Sequence, residues 1–278
     1  MAEQLYSEIP LRTWNWLGVN EATVAEEVLE QTKTRELTIA AGTKEKLVWV
    51  NREQANLVDC IKVQPQAVLE LTYLQRLPQN QSGARNLEIH LAEGAKLELI
   101  DIEAGGAKSV SKVHINLQGE GAQAQVSVAY FGSQEQELDM NYLLTLAGAR
   151  TEASLQVEGA LSDQCTKNFR GTLDFIKGAK GAKGEEKENV IVLSPKVRNR
   201  SVPLMLAGEA DVDGHHGVSI GKLEEEKLFY LMSRGLDLVT AKKLVVEAAF
   251  APIISRLDNE DLQQELAEYI KEQLTHEC

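Results

Sequence analysis

The stretch LEIHLAEGAKLELI, residues 87–100, decides the fold, because a Gly-Ala pair lies between two runs of alternating apolar and polar residues. Apolar side chains at every second position are typical of a β-strand with one buried face. The Gly-Ala pair recurs at intervals of 27 residues, as Gly94-Ala95, Gly121-Ala122 and Gly148-Ala149. A constant interval predicts stacked strand-turn-strand units with a glycine at each corner.

One such unit cannot bury its own apolar face, whereas stacked units share a continuous core. We therefore predict a mainly β fold: a right-handed parallel β-helix with a short N-terminal helix and a C-terminal helical appendix. A β-sandwich with evenly spaced hairpins is the alternative. The segment KGAKGAKGEEKE, residues 177–188, predicts a solvated loop between units, and it lacks the ending of a phosphate-binding loop.

Both ends of the chain have helical patterns. Near the N-terminus, apolar residues recur at helical spacing behind Asn20, which predicts a helix that follows a cluster of Pro10, Arg12, Trp14 and Trp16. Beyond Gly221 three helices are expected: one stopped by Gly235, one from about Thr240 to Phe250, and one capped by Asp258. The predicted divisions are 1–35 (helical), 36–222 (β-helix) and 223–278 (helical).

Composition excludes several classes of function. The formal charge of −13 and the pI of 5.0 argue against nucleic acid as a partner, since such proteins need clustered Lys and Arg. No apolar run approaches the roughly 20 residues of a membrane helix, and the N-terminus has no signal-peptide pattern. Cys60, Cys165 and Cys278 are far apart, which suits a reducing cytoplasm. We expect a cytoplasmic protein whose Cys60 and Cys165 are small buried hydrophobes.

The segment DVDGHHGVSIGKLEEEKLFYLMSRG, residues 211–235, is the most promising functional stretch. If it begins as a strand, His215 and His216 point to opposite faces, so only one of them can serve a given site. For a histidine at a strand end, the ordinary interpretation is a satisfied or exposed side chain. A calcium loop is excluded because its twelfth position is Lys222 and its sixth is His216.

A family resemblance gives this segment a second interpretation. The segment resembles the C-terminal signature of the SufB/SufD family of iron–sulfur assembly scaffolds in the order of Gly217, Ser219, Ile220, Gly221, an acidic turn, Leu228-Phe229-Tyr230-Leu231 and Ser233-Arg234-Gly235. In the SufD branch, the histidine before this glycine takes part in cluster assembly together with a cysteine of the SufB partner. His216 holds that position, with His215, Asp213 and Gly217 as possible neighbours.

Two departures place the chain on the SufD side of the family. Ala207 stands where the SufB branch carries its assembly cysteine, and Gly214 stands where members often carry another cysteine. Iron–sulfur clusters normally take about four protein ligands. The resemblance therefore implies that the chain alone binds no stable cluster. It implies instead that His216 is a metal ligand for a transient cluster at an interface shared with another subunit.

The resemblance also implies partners. In the family the C-terminal helices dock SufC, an ABC-type ATPase, and the matching positions here are Leu228, Phe229, Tyr230, Arg234 and Phe250. We therefore expect a non-catalytic SufD-like scaffold subunit that pairs with a SufB-like subunit or with itself. The alternatives are a structural homodimer without an assembly role and a β-helix enzyme acting on polysaccharide, with Asp211 and Asp213 as acid and base.

Overall fold

The computed structural model describes residues 3–9, 15–223 and 225–275. In this part of the chain, two seven-stranded parallel sheets face each other, and consecutive strands alternate between them. One strand from each sheet makes up a rung, and each rung hydrogen-bonds to the next. The fold is a parallel β-solenoid, as predicted. Its parallel sheets exclude the sandwich of hairpins, whose strands would be antiparallel.

The element bounds follow from the backbone. The strands are β1 (Glu3–Glu8), β2 (Glu21–Ala25), β3 (Thr32–Ile39), β4 (Lys44–Asn51), β5 (Asn56–Val63), β6 (Val68–Leu77), β7 (Ser82–Leu91), β8 (Lys96–Gly105), β9 (Lys108–Leu117), β10 (Gln123–Gly132), β11 (Glu137–Leu146), β12 (Glu152–Leu161), β13 (Thr166–Phe175), β14 (Ala182–Val192), β15 (Arg198–Ala207) and β16 (Val212–Lys222). The helices are α1 (Glu26–Leu29), α2 (Glu225–Ser233), α3 (Leu238–Ile254) and α4 (Glu260–Thr275), with a 3-10 turn at Asn15–Leu17.

The predicted interval of 27 residues holds for only one step of the stack. Lys96, Gln123, Glu152 and Lys183 are consecutive register partners, and they lie 27, 29 and 31 residues apart. Gly94 and Gly121 occupy left-handed corners, but the next such corner is Arg150, with φ of 54°. Gly148 lies against the preceding rung instead, where an added Cβ would be 2.3 Å from the carbonyl oxygen of Gly119.

The prediction of a loop over 177–188 is wrong for its second half. The turn ends at Gly181, and Ala182–Val192 forms β14, which pairs with β12 on one side and β16 on the other. Glu186 and Glu188 on this strand are buried. Tertiary pairing overrides local composition here, because a strand held between two neighbours does not need a high intrinsic strand propensity.

The N-terminal segment is less helical than predicted. The cluster residues Pro10, Arg12 and Trp14 lie outside the described residues. The helix α1 is a single turn, and Asn20 precedes a strand, β2, that pairs with β1 in an antiparallel hairpin. This hairpin lies on the outer face of the solenoid, where Asn141 Nδ2 donates to Ser7 Oγ at 2.7 Å.

The three C-terminal helices are present, with different bounds. α2 ends before Gly235, whose φ is 93°, as predicted. α3 is longer than expected and includes Pro252 in its last turn. α4 is capped by Asn259, whose Oδ1 accepts from the Leu262 amide at 3.1 Å, whereas Asp258 forms an ion pair with Lys46. No helix in the described ranges is both long and apolar enough to cross a membrane.

The helices α3 and α4 cover part of one sheet. Ile253 and Leu266 pack with Ile100 and Ile102 of β8, and Phe250 and Tyr269 pack with Phe131 of β10. Arg256 at the end of α3 donates to Ser127 Oγ at 2.8 Å and forms an ion pair with Glu98. These helices are therefore part of the solenoid's packed structure.

The solenoid interior is mostly apolar, but a buried ion triad crosses it between β7 and β8. Arg85 donates to both oxygens of Asp101 at 2.7 and 2.8 Å and to Glu103 at 2.7 Å. Tyr142 donates to Asp101 at 2.9 Å, and the Tyr73 ring lies 4.3 Å from the guanidinium carbon. Both carboxylates are hydrogen-bonded to the one cation between them, which lowers the cost of burying these charges.

We predict that Arg85→Met lowers the free energy of unfolding by about 3–5 kcal/mol, because it leaves two carboxylates buried without their cation. Urea denaturation followed by circular dichroism measures this loss. The control is Arg150→Met, which removes an exposed ion pair with Glu120 and should cost less than about 1 kcal/mol. Equal midpoints for the two variants would show that the triad does not stabilise the fold.

Candidate functional site

The two adjacent histidines lie on β16, the last strand of its sheet, so the extended conformation expected for this segment is confirmed. The interior face of β16 is identified by Gly214, where an added Cβ would be 2.7 Å from Met205 Sδ and 3.1 Å from Phe175. His216 is two residues further along and shares this interior face. His215 points outwards.

His216 lies above a buried carboxylate. In the register between β14 and β16 its partner is Glu186, and paired residues of a parallel ladder point to the same face. Across the interior, Glu186 faces Gly171 of β13, and Gly171 pairs with Pro203 of β15. His216 therefore faces Pro203. Ala207 is four residues further along β15, or about 13 Å.

A charged group occupies the rung beneath His216. Lys167 of β13 forms an ion pair with Glu188 and donates to Ser201 Oγ at 2.8 Å, and Tyr130 donates to Glu188 at 3.0 Å. Glu186 is fully buried, and within the described ranges neither of its carboxylate oxygens has a hydrogen-bond partner. Two carboxylates thus share one ammonium group in the interior.

This arrangement shifts two pKa values towards each other. Burial and, to a smaller extent, the nearby charge of Glu188 raise the pKa of Glu186 from 4.5 to about 8, against the opposing effect of Lys167. Burial lowers the pKa of Lys167 from 10.5 to about 8, against the attraction of Glu188. At pH 7 the buried group is therefore a neutral Glu186 beside a Lys167–Glu188 ion pair.

His215 lies in a shallow groove on the outer face. Its Nε2 is 2.8 Å from Asp213 Oδ1, and both side chains are largely exposed. The groove has a volume of about 590 Å³, and none of the described residues that line it is aromatic. Asp211 is exposed. The aromatic lining that would favour a polysaccharide enzyme is thus missing from the groove beside Asp213.

The rung that carries His216 forms one end of the solenoid, which we call the open end (β15 and β16). Both strands are the last of their sheets, and Ile220 of β16 is 55% exposed. At the opposite end, the Arg35 guanidinium lies 3.8 Å from the Trp49 ring and pairs with Asp59. The open end exposes apolar side chains and a strand edge, and such edges readily pair with another chain.

The helix α2 exposes large side chains. Phe229 is 75% exposed and Tyr230 57%, and Arg234 lies 5.3 Å above the Tyr230 ring, while Leu228 is half-buried. Phe250 does not belong to this surface: it is 2% exposed and packs against the solenoid. The partner contact of Phe250 stays a prediction, and its apolar side chain is already packed within the fold.

The two described cysteines are both free thiols. Cys165 is fully buried, and burial raises its pKa to about 12, so it behaves as a small hydrophobe as expected. Cys60 is only half-buried and pairs in register with Glu88. The remaining cysteine, Cys278, lies outside the described residues, as do His276 and Glu277.

Sequence patterns did not identify Lys167, Glu186 and Glu188 as a group. The two glutamates lie in the segment predicted as a loop, and Lys167 is 21 residues from Glu188 along the chain. The available signal is the alternation of Gly184, Glu186, Glu188 and Val190, which all point inwards in the structure. Because two of these inward positions carry charged residues, the segment does not show the apolar alternation that predicts a strand.

Comparison with known families matches residues 20–249 to the family described as SUF system FeS cluster assembly, SufBD core domain. The match covers most of the chain, including the solenoid and His216. The chain belongs to the SufBD family. The expected family resemblance is thereby confirmed.

Among relatives, SufD of Bacillus subtilis is 29% identical over 163 residues, covering 59% of this chain and 37% of the relative. A SufBD family assembly protein of Mycobacterium tuberculosis is 26% identical over 200 residues, covering 72% and 24%. One from Pyrococcus horikoshii is 26% identical over 188 residues, covering 68% and 42%. The match to SufD fits a SufD-like branch. This SufBD chain spans less than half the length of these relatives.

We predict that Glu186→Gln changes the pH dependence of stability. Between pH 4.5 and about 8 the unfolded carboxyl is ionised while the folded one keeps its proton, so rising pH lowers stability through this group. The variant lacks this pH-dependent contribution, so its stability relative to wild type should be higher at pH 7.5 than at pH 5. These pH values are about the limits of the range between the unfolded and folded pKa values. Urea midpoints at the two pH values measure the difference.

The matched control is Glu185→Gln, on the neighbouring outward position, whose side chain is 45% exposed and paired with Lys187. It should follow the wild-type pH dependence. Parallel wild-type and Glu186→Gln curves would mean that Glu186 is already ionised in the folded protein. Lys167 does not obscure the comparison, because it affects the pH dependence of stability above pH 8, where it makes stability rise with pH.

Proposed function

We propose that this chain is a non-catalytic, SufD-like scaffold subunit of a cytoplasmic iron–sulfur cluster assembly complex. It pairs with a SufB-like subunit at the open end, docks a SufC-like ATPase through α2, and supplies His216 to a transient cluster. The observation that carries the proposal is the position of His216, on the interior face of the last rung in a SufBD core.

The position of His216 suits a ligand shared between subunits. Within this chain His216 faces Pro203 of β15, and Ala207 lies about 13 Å further along the same strand. A cysteine at the Ala207 position of the same chain would therefore not meet His216. No three of the described His, Cys, Asp and Glu side chains form a group that could hold a metal ion. The missing ligands must come from a partner, and imidazole is a suitable iron ligand.

The open end supports pairing with a second solenoid. Its two edge strands offer unpaired backbone groups, and Ile220 with the half-buried Val218 and Met205 offers apolar area beside them. A SufB-like end of the same architecture would continue both sheets and cover these side chains. The same surface would serve a homodimer, which is the state we expect when no SufB-like partner is present.

The exposed side of α2 supports docking of the ATPase. α3 and α4 bury their aromatic side chains against the solenoid and leave only Leu238 and Leu244 exposed among their described large apolar side chains, whereas Phe229, Tyr230 and Met232 of α2 are exposed. Exposed neighbouring aromatics with an arginine are the side chains that dominate protein interfaces. The docking surface is therefore narrower than the whole C-terminal region.

We predict that His216→Ala lowers cluster assembly in the complex reconstituted with SufB-like and SufC-like subunits, while complex formation is unchanged. His215→Ala, the matched control, should retain wild-type assembly, because its side chain points to the outer groove. The measurement is the iron and sulfide content and visible absorption after anaerobic assembly. Each variant should keep its stability within about 0.5 kcal/mol, since both side chains are exposed.

Equal losses in the two variants, or full assembly by His216→Ala at normal complex yield, would overturn the assignment of His216. The second outcome would favour the alternative of a structural homodimer, whose test is the oligomeric state of the chain purified alone. A desalting-resistant cluster on the lone subunit would contradict the expectation that a partner supplies ligands.

We predict that Phe229→Ser weakens copurification with the ATPase by at least about tenfold, the loss of affinity that corresponds to 1.4 kcal/mol at an interface position. Trp16→Ser is the control, because Trp16 is equally exposed (78%) but lies at the other end of the chain. Deleting residues 223–278 would not be a clean test. It would uncover the apolar face of β8 and β10 that α3 and α4 bury.

If Phe229→Ser retains full copurification while the Trp16 variant loses it, docking belongs to the N-terminal region instead. Retention in both variants would exclude the exposed aromatic of α2 as a docking contact. Affinity purification with a tagged ATPase and thermal unfolding of each variant distinguish a lost contact from a lost fold.

A further inference from the structure

A patch of ligand-type side chains lies on the outer face of β7 and β9, on the sheet opposite the one that α3 and α4 cover. Glu88 of β7 pairs in register with His114 of β9, and His90 of β7 pairs with Asn116 of β9. Strands lie about 4.8 Å apart, and paired residues of a parallel ladder share a face. These residues, Glu88, His90, His114 and Asn116, are called the Glu88 patch.

One carboxylate oxygen stands between two imidazole rings in the Glu88 patch. Glu88 Oε1 is 3.1 Å from His90 Nε2 and 3.9 Å from His114 Nδ1. The two histidines are only about a quarter exposed, at 24% and 26%. Each ring therefore presents one nitrogen to the same point while most of the ring is held against the protein.

The other nitrogen of each ring is held by a polar partner. His114 Nε2 lies 3.0 Å from Thr145 Oγ1, and His90 Nδ1 lies 3.4 Å from Gln118 Nε2. In metal sites the second ring nitrogen almost always donates its proton to an acceptor, which fixes the ring orientation and strengthens the ligand. Thr145 Oγ1 can accept in this way from His114 Nε2. At His90 the Gln118 amide must rotate to present its oxygen to Nδ1, so that Nε2 is free to bind a metal.

One further observation favours a bound cation. Asn116 Oδ1 is buried and, within the described ranges, has no hydrogen-bond partner, although it lies beside His90 in the ladder. A buried carbonyl oxygen without a donor is available to a cation.

We propose that Glu88, His90 and His114 bind a divalent transition-metal ion, with Zn²⁺ as the probe. As they stand, no three described side chains form a metal-holding group, so binding requires the Glu88 carboxylate to turn and admit the ion between the two rings. Glu88 is 43% exposed, so it has room to turn and admit the ion. Two imidazoles and one carboxylate, with open positions left for water, are a donor set that Zn²⁺ and Fe²⁺ accept.

This site is independent of the proposed assembly role. His216 lies at the open end, on the interior face of the last rung, whereas the Glu88 patch lies on the outer face three and four rungs earlier in the stack. Loss of one site should leave the other intact. The two hypotheses can therefore fail separately.

The test is isothermal titration of the full chain with ZnCl₂, in a background of His215→Ala, His216→Ala and His276→Ala. This background removes every histidine outside the Glu88 patch. It should still bind one Zn²⁺ per chain. Adding His90→Ala and His114→Ala should weaken binding by more than about 100-fold, the upper end of the loss that outer-shell partners alone produce.

A positioning test uses Thr145→Val, which removes the hydroxyl held by His114 and should weaken Zn²⁺ binding about 10–100-fold. Thr38→Val, on the same face of the first rung, is the matched control and should bind as the background does. Co²⁺ absorption provides a second readout of the ligand set, and circular dichroism confirms that each variant is folded. A background variant without Zn²⁺ binding, or unchanged affinity after loss of both histidines, would overturn the proposal.

Discussion

The stacking of parallel rungs is the constraint on which the rest of the structure depends. Each strand satisfies its backbone groups on the strands before and after it, so every interior rung is closed on both sides. The last rung has no successor. Its edges and its interior-facing side chains, His216 among them, stay accessible. The position most suited to a shared ligand is thus a direct result of where the stack stops.

Polar groups inside the solenoid fall into two kinds. Around Arg85, both carboxylates are bound to the cation, and we expect this group to stabilise the fold. Around Lys167 only Glu188 is bound to the ammonium group, and Glu186 has no described hydrogen-bond partner. This second group lies directly beneath His216. The neutral, buried Glu186 therefore lies directly below the exposed rung at the open end.

The C-terminal helices divide their apolar surface between two tasks. Ile253, Phe250, Leu266 and Tyr269 hold α3 and α4 on the solenoid, whereas the exposed aromatic side chains of these helices, Phe229 and Tyr230, are on α2. A helix that uses its apolar face within the fold has none left for a partner. This division explains why Phe250 and Phe229, both aromatic and both in helices, have different roles.

The sequence by itself determined the strand alternation, the stacked units, the extended segment around His216, the stop at Gly235 and the family. Each depends on local periodicity or on a short ordered signature. Tertiary structure alone decided that Ala182–Val192 is a strand, that Gly148 is not a corner, and that Phe250 is buried. It also decided that Lys167 meets Glu186 and Glu188, and that Glu88 meets His90 and His114. Those outcomes depend on which strands become neighbours, and register across rungs of 24 to 32 residues is set by packing and turn length, which no local pattern contains.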